Sequence, residues 1–163
     1  MPPILRKIQG FLMGRPPNYQ EIFERVVASG LPSTKRHVRY LRDRGITAII
    51  SLTEFPLPKK LLDGTTIKYF HFPLEDHKPA DPNTIREIVK TIQTLVKSGD
   101  KVLVHCLAGL GRTGMVLAAY LMMEEKIDWR ASLERVRTLR PGSVEAGQEK
   151  TLEELEKRVK LGF

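Results

Sequence analysis

Short apolar runs alternating with longer amphipathic stretches set the outline of this chain. Ile46 to Leu52 and Lys101 to His105 are compact and apolar, the pattern of strands buried on both faces of a sheet. Thr66 to Phe72 is rich in β-branched and aromatic residues and predicts a further strand, and Phe23 to Ala28 predicts a first one. Helical patterns lie between them. Ser33 is the expected N-cap of a helix running to Arg44 and stopped by Gly45. Asp81, followed by Pro82, predicts the start of another, with Ile85, Ile88, Val89, Ile92, Leu95 and Val96 on its apolar face and Ser98, Gly99 and Asp100 at its end.

The stretch from Arg112 to Glu125 has a different character. Met115, Val116, Leu117, Leu121 and Met122 make it apolar on nearly all sides, so it is expected to run through the core, with its methionines as packing groups. Two more helices are expected, Trp129 to Leu139 and Glu145 to Leu161, parted by Arg140-Pro141-Gly142, and Trp129 is read as a packing residue. These elements add up to an α/β fold, with a central, mostly parallel sheet of about four to five strands flanked by helices.

Composition narrows this picture. With 163 residues, 41% of them hydrophobic, the chain can bury one core, so residues 1–163 are expected to form a single domain; a monomer is the expected state, though composition does not fix it. Residues 1–18 are expected to be an N-terminal extension that packs on the domain or frays, with a peripheral membrane anchor as the alternative. No run reaches the roughly 18 apolar residues of a membrane span. A single cysteine forms no internal disulfide and has no resolving partner, which points to a cytoplasmic setting.

The net charge is +8, from 27 basic and 19 acidic residues. Lys35, Arg36, Arg39, Arg42 and Arg44 share one predicted helix, and Arg130, Arg135, Arg137 and Arg140 mark another. Neither set is interleaved with the aromatics that single-strand binders use, so nucleic acid is not expected as a partner. Steering of phosphorylated or acidic substrates is the reading that remains.

Candidate chemistry gathers after the Lys101 to His105 strand, where His105 to Gly114 reads HCLAGLGRTG and holds the one cysteine, Cys106. A loop of small residues lets successive backbone N–H groups turn around an anion, and the helix that follows adds its positive end. Arg112 can fork onto two phosphate oxygens. The same field favours the thiolate of Cys106, the nucleophilic form. Gly109, Gly111 and Gly114 also spell G-x-G-x-x-G, but a dinucleotide site needs a second strand ending in an acid about 20 positions on. Here that place falls in Glu124 to Trp129, within a helical pattern. A nucleoside-triphosphate loop needs Gly-Lys before Ser or Thr, and the chain has no such pair. A buried small hydrophobe is the competing reading for Cys106. No metal or cofactor is called for.

A cysteine that attacks phosphorus needs an acid to protonate the leaving oxygen. Glu75, Asp76 and Asp81 are the candidates between Phe70 and Asn83, and Asp81 is more simply a helix cap. Asp76 lies in a strand-to-helix loop thirty positions before Cys106, with Glu75 its main rival, and His77 beside it is read as a solvent-facing loop residue.

HCLAGLGRTG resembles the signature of cysteine-dependent protein tyrosine phosphatases: His-Cys, five residues, Arg, then Ser or Thr and Gly. Ala28-Ser29-Gly30-Leu31-Pro32, Ser51-Leu52-Thr53-Glu54 and Leu139-Arg140-Pro141-Gly142-Ser143-Val144-Glu145 extend the likeness over residues 20–160. Together they are similar to the compact atypical dual-specificity phosphatases and the small archaeal tyrosine phosphatases. The resemblance implies the fold of those enzymes and hydrolysis of phosphotyrosine, with phosphoserine and phosphothreonine as further substrates, through a cysteinyl-phosphate. It implies Cys106 as nucleophile, Asp76 as acid and then base, and the loop Leu107, Ala108, Gly109, Leu110, Gly111 and Arg112 as phosphate holder. Thr113 would donate to the leaving sulfur, and His105 would orient the loop and favour the thiolate. Gln148 would position water, with Glu145 as the alternative. Leu107, Ala108 and Leu110 stand where phosphoinositide phosphatases of the superfamily carry lysines. Phosphoinositides and RNA 5′-phosphates are the alternative substrates, and a phosphate-binding module without turnover is the alternative outside enzymes.

Overall fold

Side chains along each central strand alternate between two apolar clusters, and this alternation fixes the layers. The protein is represented by a computed structural model that describes residue 12 and residues 14–162. Most of the expected N-terminal extension, residues 1–11 and 13, lies outside the described residues. The sheet contains β1 (Gln20–Phe23), β2 (Val26–Ser29), β3 (Ala48–Ser51), β4 (Lys68–His71) and β5 (Val102–His105), in the spatial order β1-β2-β5-β3-β4. The β2, β5, β3 and β4 strands run parallel, and β1 joins β2 antiparallel at the edge. This is the mostly parallel α/β sheet that the apolar runs predict.

The helices are α1 (Lys35–Asp43), α2 (Lys59–Leu62), α3 (Pro82–Lys97), α4 (Gly111–Glu125), α5 (Trp129–Leu139) and α6 (Glu149–Lys160). Val26, Ala28, Ala48, Ile50, Val102 and Val104 face the larger cluster, against α3, α4, α5 and α6. Their neighbours Val27, Ile49 and Leu103 face the smaller one, with Leu41 of α1 and Leu57. A parallel sheet must be covered on both faces, and this division covers it. From Gly111 to Met122 every residue of α4 is buried, as its all-round apolarity predicts. The last paired residue of each parallel strand is polar: Ser29 and Ser51 both lie opposite His105, and His71 lies opposite Ser51.

Three expectations are corrected and one element is added. The single strand expected over Phe23 to Ala28 is two strands, β1 and β2, folded back at Glu24 and Arg25; no Gly, Pro or Asn marks that turn. The cap of α1 is Thr34, whose hydroxyl accepts the His37 N–H at 3.1 Å, while the Ser33 N–H bonds His37 Nδ1. The short α2 was not anticipated. The final helix begins at Glu149, not Glu145, because Val144 and Gly147 take left-handed φ values of 61° and 93° and keep the intervening chain out of the helix. Asp81 caps α3 through the Thr84 N–H, with Pro82 at the first position, as expected. Among the described residues, no helix is long and apolar enough to cross a membrane.

Candidate active site

The central strand β5 ends at His105 and hands the chain to Cys106, 3% exposed, at the carboxyl edge of the sheet. Open α/β sheets hold their ligands at that edge. Leu107 to Leu110 then loop into α4, whose N-cap Leu110 makes no side-chain capping bond. The helix's first N–H groups thus have no capping side chain from Leu110, the arrangement in which a helix start can take an anion. The Gly109 N–H bonds Cys106 Sγ at 3.2 Å, so the thiol already sits under an inward-turned peptide. Gly109 has φ +78°, and a Cβ there would lie 2.4 Å from the backbone C and O of Ser29.

Arg112, 1% exposed, lies in the first turn of α4. Its Nη1 donates to Glu54 Oε2 at 2.9 Å and to the Leu74 carbonyl at 3.1 Å, and Nη2 lies 3.3 Å from Asp76 Oδ1. Its Nε is buried and has no hydrogen-bond partner among the described residues. Glu54 makes a second contact, accepting the Asp76 N–H at 3.1 Å through Oε1, and so ties the acid-bearing loop to the arginine. Its own backbone N–H, then Arg112, hold the Glu54 carboxyl below the usual carboxylate range. Of the three acids considered, Asp76 alone meets Arg112. Glu75 pairs with Lys78 at 3.2 Å, and Asp81 caps α3.

Below the loop, His105 is fully buried. Its Nδ1 lies 3.2 Å from the Cys106 carbonyl and its Nε2 bonds the Ser51 hydroxyl. A carbonyl only accepts, so Nδ1 carries the proton and Nε2 accepts from Ser51. Burial, aided by the charges of Arg112 and His71 against the bond to Cys106, pushes His105 down to about 4. The ring is therefore neutral at pH 7 and donates to the Cys106 carbonyl. Thr113 is fully buried, and its Oγ1 has no hydrogen-bond partner among the described residues.

The loop before α6 closes the other side. Gln148 is fully buried, its Oε1 accepts the Glu145 N–H at 2.9 Å, and its Nε2 has no partner among the described residues. Both side chains reach the start of α4: a Cβ on Gly111 would lie 3.0 Å from Glu145 Oε1 and 3.1 Å from Gln148 Oε1. His77 is a solvent-facing loop residue, as expected, and it also carries two contacts. Its Nδ1 lies 2.6 Å from Glu145 Oε2 and its Nε2 3.3 Å from Asp76 Oδ2, so one exposed imidazole bridges the two acid-bearing loops. These three residues could present ligand atoms within 4.8 Å of one another to a cation, but their atoms already satisfy each other.

The histidines supply a direct check by ring nitrogen NMR. The bond to Glu145 and the charge of Asp76 raise His77, so the bridge is complete below pH 6.5 and is lost as pH rises through its elevated midpoint. His105 behaves oppositely. Its stabilising contribution is present above 6.5 and is lost as pH falls toward about 4, because the unfolded chain takes up a proton that the folded one refuses. His105 is expected to stay neutral at pH 5 while His77 is charged; a His105 midpoint near 6.5 would contradict its burial between Ser51 and Cys106.

A buried cysteine under the inward-turned Gly109 N–H at the C-terminal edge of a mostly parallel sheet, with a buried arginine in the first turn of the helix that follows its loop, defines the class: this is a cysteine-dependent phosphatase fold. The profile of the dual specificity phosphatase catalytic domain matches residues 31–158, and the chain belongs to that family. Tyrosine-protein phosphatase CDC14 of Saccharomyces cerevisiae is 27% identical over 115 residues, which are 71% of this chain and 21% of that protein. Protein tyrosine phosphatase domain-containing protein 1 of Bos taurus is 34% identical over 89 residues, 55% of this chain and 11% of that protein. The chain thus spans 21% or less of the length of these two curated relatives. The crystal structure of Tk-PTP in its active form superposes with a TM-score of 0.79 at 33% identity, covering 87% of this chain and 98% of that one. PTPMT1 shares the fold, with a TM-score of 0.78 at 22% identity.

The contacts of Glu54 with Arg112 and Asp76, and of His77 with Glu145, are among those that no motif in the sequence marks. The acid closing Ser51-Leu52-Thr53-Glu54, just past a buried strand, was the one available signal.

Proposed function

We propose that this domain hydrolyses phosphotyrosine, and phosphoserine or phosphothreonine, in protein substrates through a cysteinyl-phosphate. One convergence carries the reading: Cys106 Sγ takes the Gly109 N–H at 3.2 Å, while Arg112 Nη2 stands 3.3 Å from the carboxylate of Asp76. In the first step the Cys106 thiolate attacks phosphorus in line, the bond to the ester oxygen breaks, and Asp76 gives that oxygen its proton. The loop N–H groups and Arg112 hold the equatorial oxygens, where the transition-state charge spreads. In the second step water attacks the phosphocysteine, Asp76 takes the water's proton, and the S–P bond breaks to release phosphate. The unpartnered hydroxyl of Thr113 is the donor for the departing sulfur, and the unpartnered Nε2 of Gln148 suits a group that orients the water.

A protein substrate fits the loop better than a multiply phosphorylated headgroup, since Leu107, Ala108 and Leu110 offer no cation to further phosphates. Phe55, 83% exposed beside Glu54, adds apolar surface next to the site for an aryl group.

Rapid acid quenching of the chain with a radiolabelled phosphotyrosyl peptide is expected to leave label on Cys106, and none on a Cys106→Ala variant. Asp76→Asn should lower kcat on phenyl phosphate by about 10²- to 10⁴-fold, as for loss of a positioned acid. The loss should be much smaller on a nitrophenyl phosphate, whose leaving group departs without a proton. Undiminished turnover by Cys106→Ala would overturn the mechanism, and phosphate binding without turnover by the native chain would favour a binding module. Side-by-side rates on phosphopeptides, phosphoinositides and 5′-phosphorylated RNA test the substrate class.

A further inference from the structure

Three consecutive carbonyls of the cysteine loop are each bonded from outside the loop. The Leu107 carbonyl accepts the Leu31 N–H at 3.0 Å, the Ala108 carbonyl accepts Asn18 Nδ2 at 2.8 Å, and the Gly109 carbonyl accepts Arg140 Nε at 2.8 Å. The donors come from far apart in the chain, 90 residues away for Asn18 and 31 for Arg140. A trans peptide is planar, and its N–H points opposite to its carbonyl. Drawing the carbonyls of residues 107, 108 and 109 outward therefore turns the N–H groups of 108, 109 and 110 inward. One of the three is directly observed inward, the Gly109 N–H on Cys106 Sγ.

Two of these donors are side chains, and they are joined. Arg140, 4% exposed, also donates through Nη2 to the Asn18 carbonyl at 2.7 Å and through Nη1 to Gln20 Oε1 at 3.0 Å. Gln20 in turn donates to the Leu139 carbonyl at 2.8 Å. Asn18 has φ 51°, a left-handed conformation that asparagine and aspartate tolerate better than other side chains, and this turns its amide onto the loop. Burial draws Arg140 down to about 10, so it remains a cation behind the loop at neutral pH.

We propose that Asn18 and Arg140 are positioning residues that hold the cysteine loop in its anion-binding form, by fixing the peptide planes of residues 107–110 from the side facing away from substrate. The proposal rests on the phosphatase reading of the loop, which it deepens by naming what aims the N–H groups. Neither residue touches the phosphate; both act through carbonyls.

Asn18→Asp is the incisive variant. It keeps shape and backbone preference but presents oxygens to the Ala108 carbonyl, where the native residue presents an N–H. It is expected to lower kcat/KM on an aryl phosphate by about 10²-fold, the scale on which small misplacements act, and to weaken binding of inorganic phosphate in parallel. Gln20→Ala serves as the structural control, because it removes a bond from the same web without freeing a loop carbonyl. It should lower the melting temperature while leaving phosphate affinity and kcat/KM native at 25 °C. Adding methylguanidinium to Arg140→Ala should recover phosphate affinity in a saturable way. Native phosphate affinity and kcat/KM in Asn18→Asp, or equal losses in Gln20→Ala, would overturn the proposal. If the native chain turns over no phosphate ester, the catalytic reading fails by itself, and phosphate affinity alone still decides whether Asn18 and Arg140 hold the loop.

Discussion

Arg112→Lys is expected to lower kcat/KM on an aryl phosphate by about 10³- to 10⁵-fold, the range spanned by guanidinium groups that stabilise phosphoryl transfer. The reason is arithmetic in donors. Arg112 spends Nη1 on Glu54 and the Leu74 carbonyl, keeps Nη2 toward Asp76, and leaves Nε without a partner among the described residues. A lysine has one nitrogen for all of these tasks and no planar fork for two phosphate oxygens. With its ammonium on Glu54, nothing would remain to face substrate. The fold should survive, since the charge and most of the buried stem persist, so near-ultraviolet circular dichroism should match the native chain while activity collapses. A loss below about tenfold would show that the fork is not what stabilises the transition state.

Gly109→Ala should damage stability and chemistry together. The new methyl would enter a left-handed backbone, at a cost of roughly 1–2 kcal/mol. It would also press within 2.4 Å of the Ser29 backbone and 2.6 Å of the Gly30 nitrogen, neither of which can rotate away. Overpacking of this kind costs about 1–3 kcal/mol. Together these predict a fall in melting temperature of about 5–15 °C. The only relief is to move the loop away from the end of β2, which shifts the Gly109 N–H off Cys106 Sγ. Turnover at 25 °C should then fall by about 10²-fold or more, as reacting groups lose alignment. Calorimetry and steady-state kinetics on one preparation check both, and a native melting temperature would show that the loop does not press on β2 as described.

Local chemistry made part of this molecule legible in advance. The compact apolar runs at Ile46 to Leu52 and Lys101 to His105 have one structural outlet, a strand covered on both sides, and both became central strands. Asp81-Pro82 marked a helix start because cap and first position act within four residues. HCLAGLGRTG was readable because strand, loop and helix N-terminus are contiguous. What stayed hidden depends on distance. Glu54 is separated from Arg112 by 58 positions and His77 from Glu145 by 68, and nothing local to either residue records its partner. The turn between β1 and β2 was missed for the opposite reason: its residues, Glu24 and Arg25, carry no turn signature, and pairing with the sheet imposes it. The expected helix start at Glu145 failed because an acid in a helical pattern looks like a first-turn residue, whereas Val144 and Gly147 hold it in a loop over α4.

The polar row that closes the parallel strands, Ser29, His105, Ser51 and His71, works as a gauge for assembly. A strand that slips by one residue turns every side chain to the opposite face. For β5 such a slip would drive His105 out of reach of Ser51 and carry Cys106 about 3.3 Å along the strand, further than an in-line attack tolerates. A chain folded with that error would forfeit its buried hydrogen bonds at the very place where it forfeits its nucleophile. Misregistered molecules should therefore be unstable before they are merely inactive, so that the chemistry is proofread by the ladder beneath it.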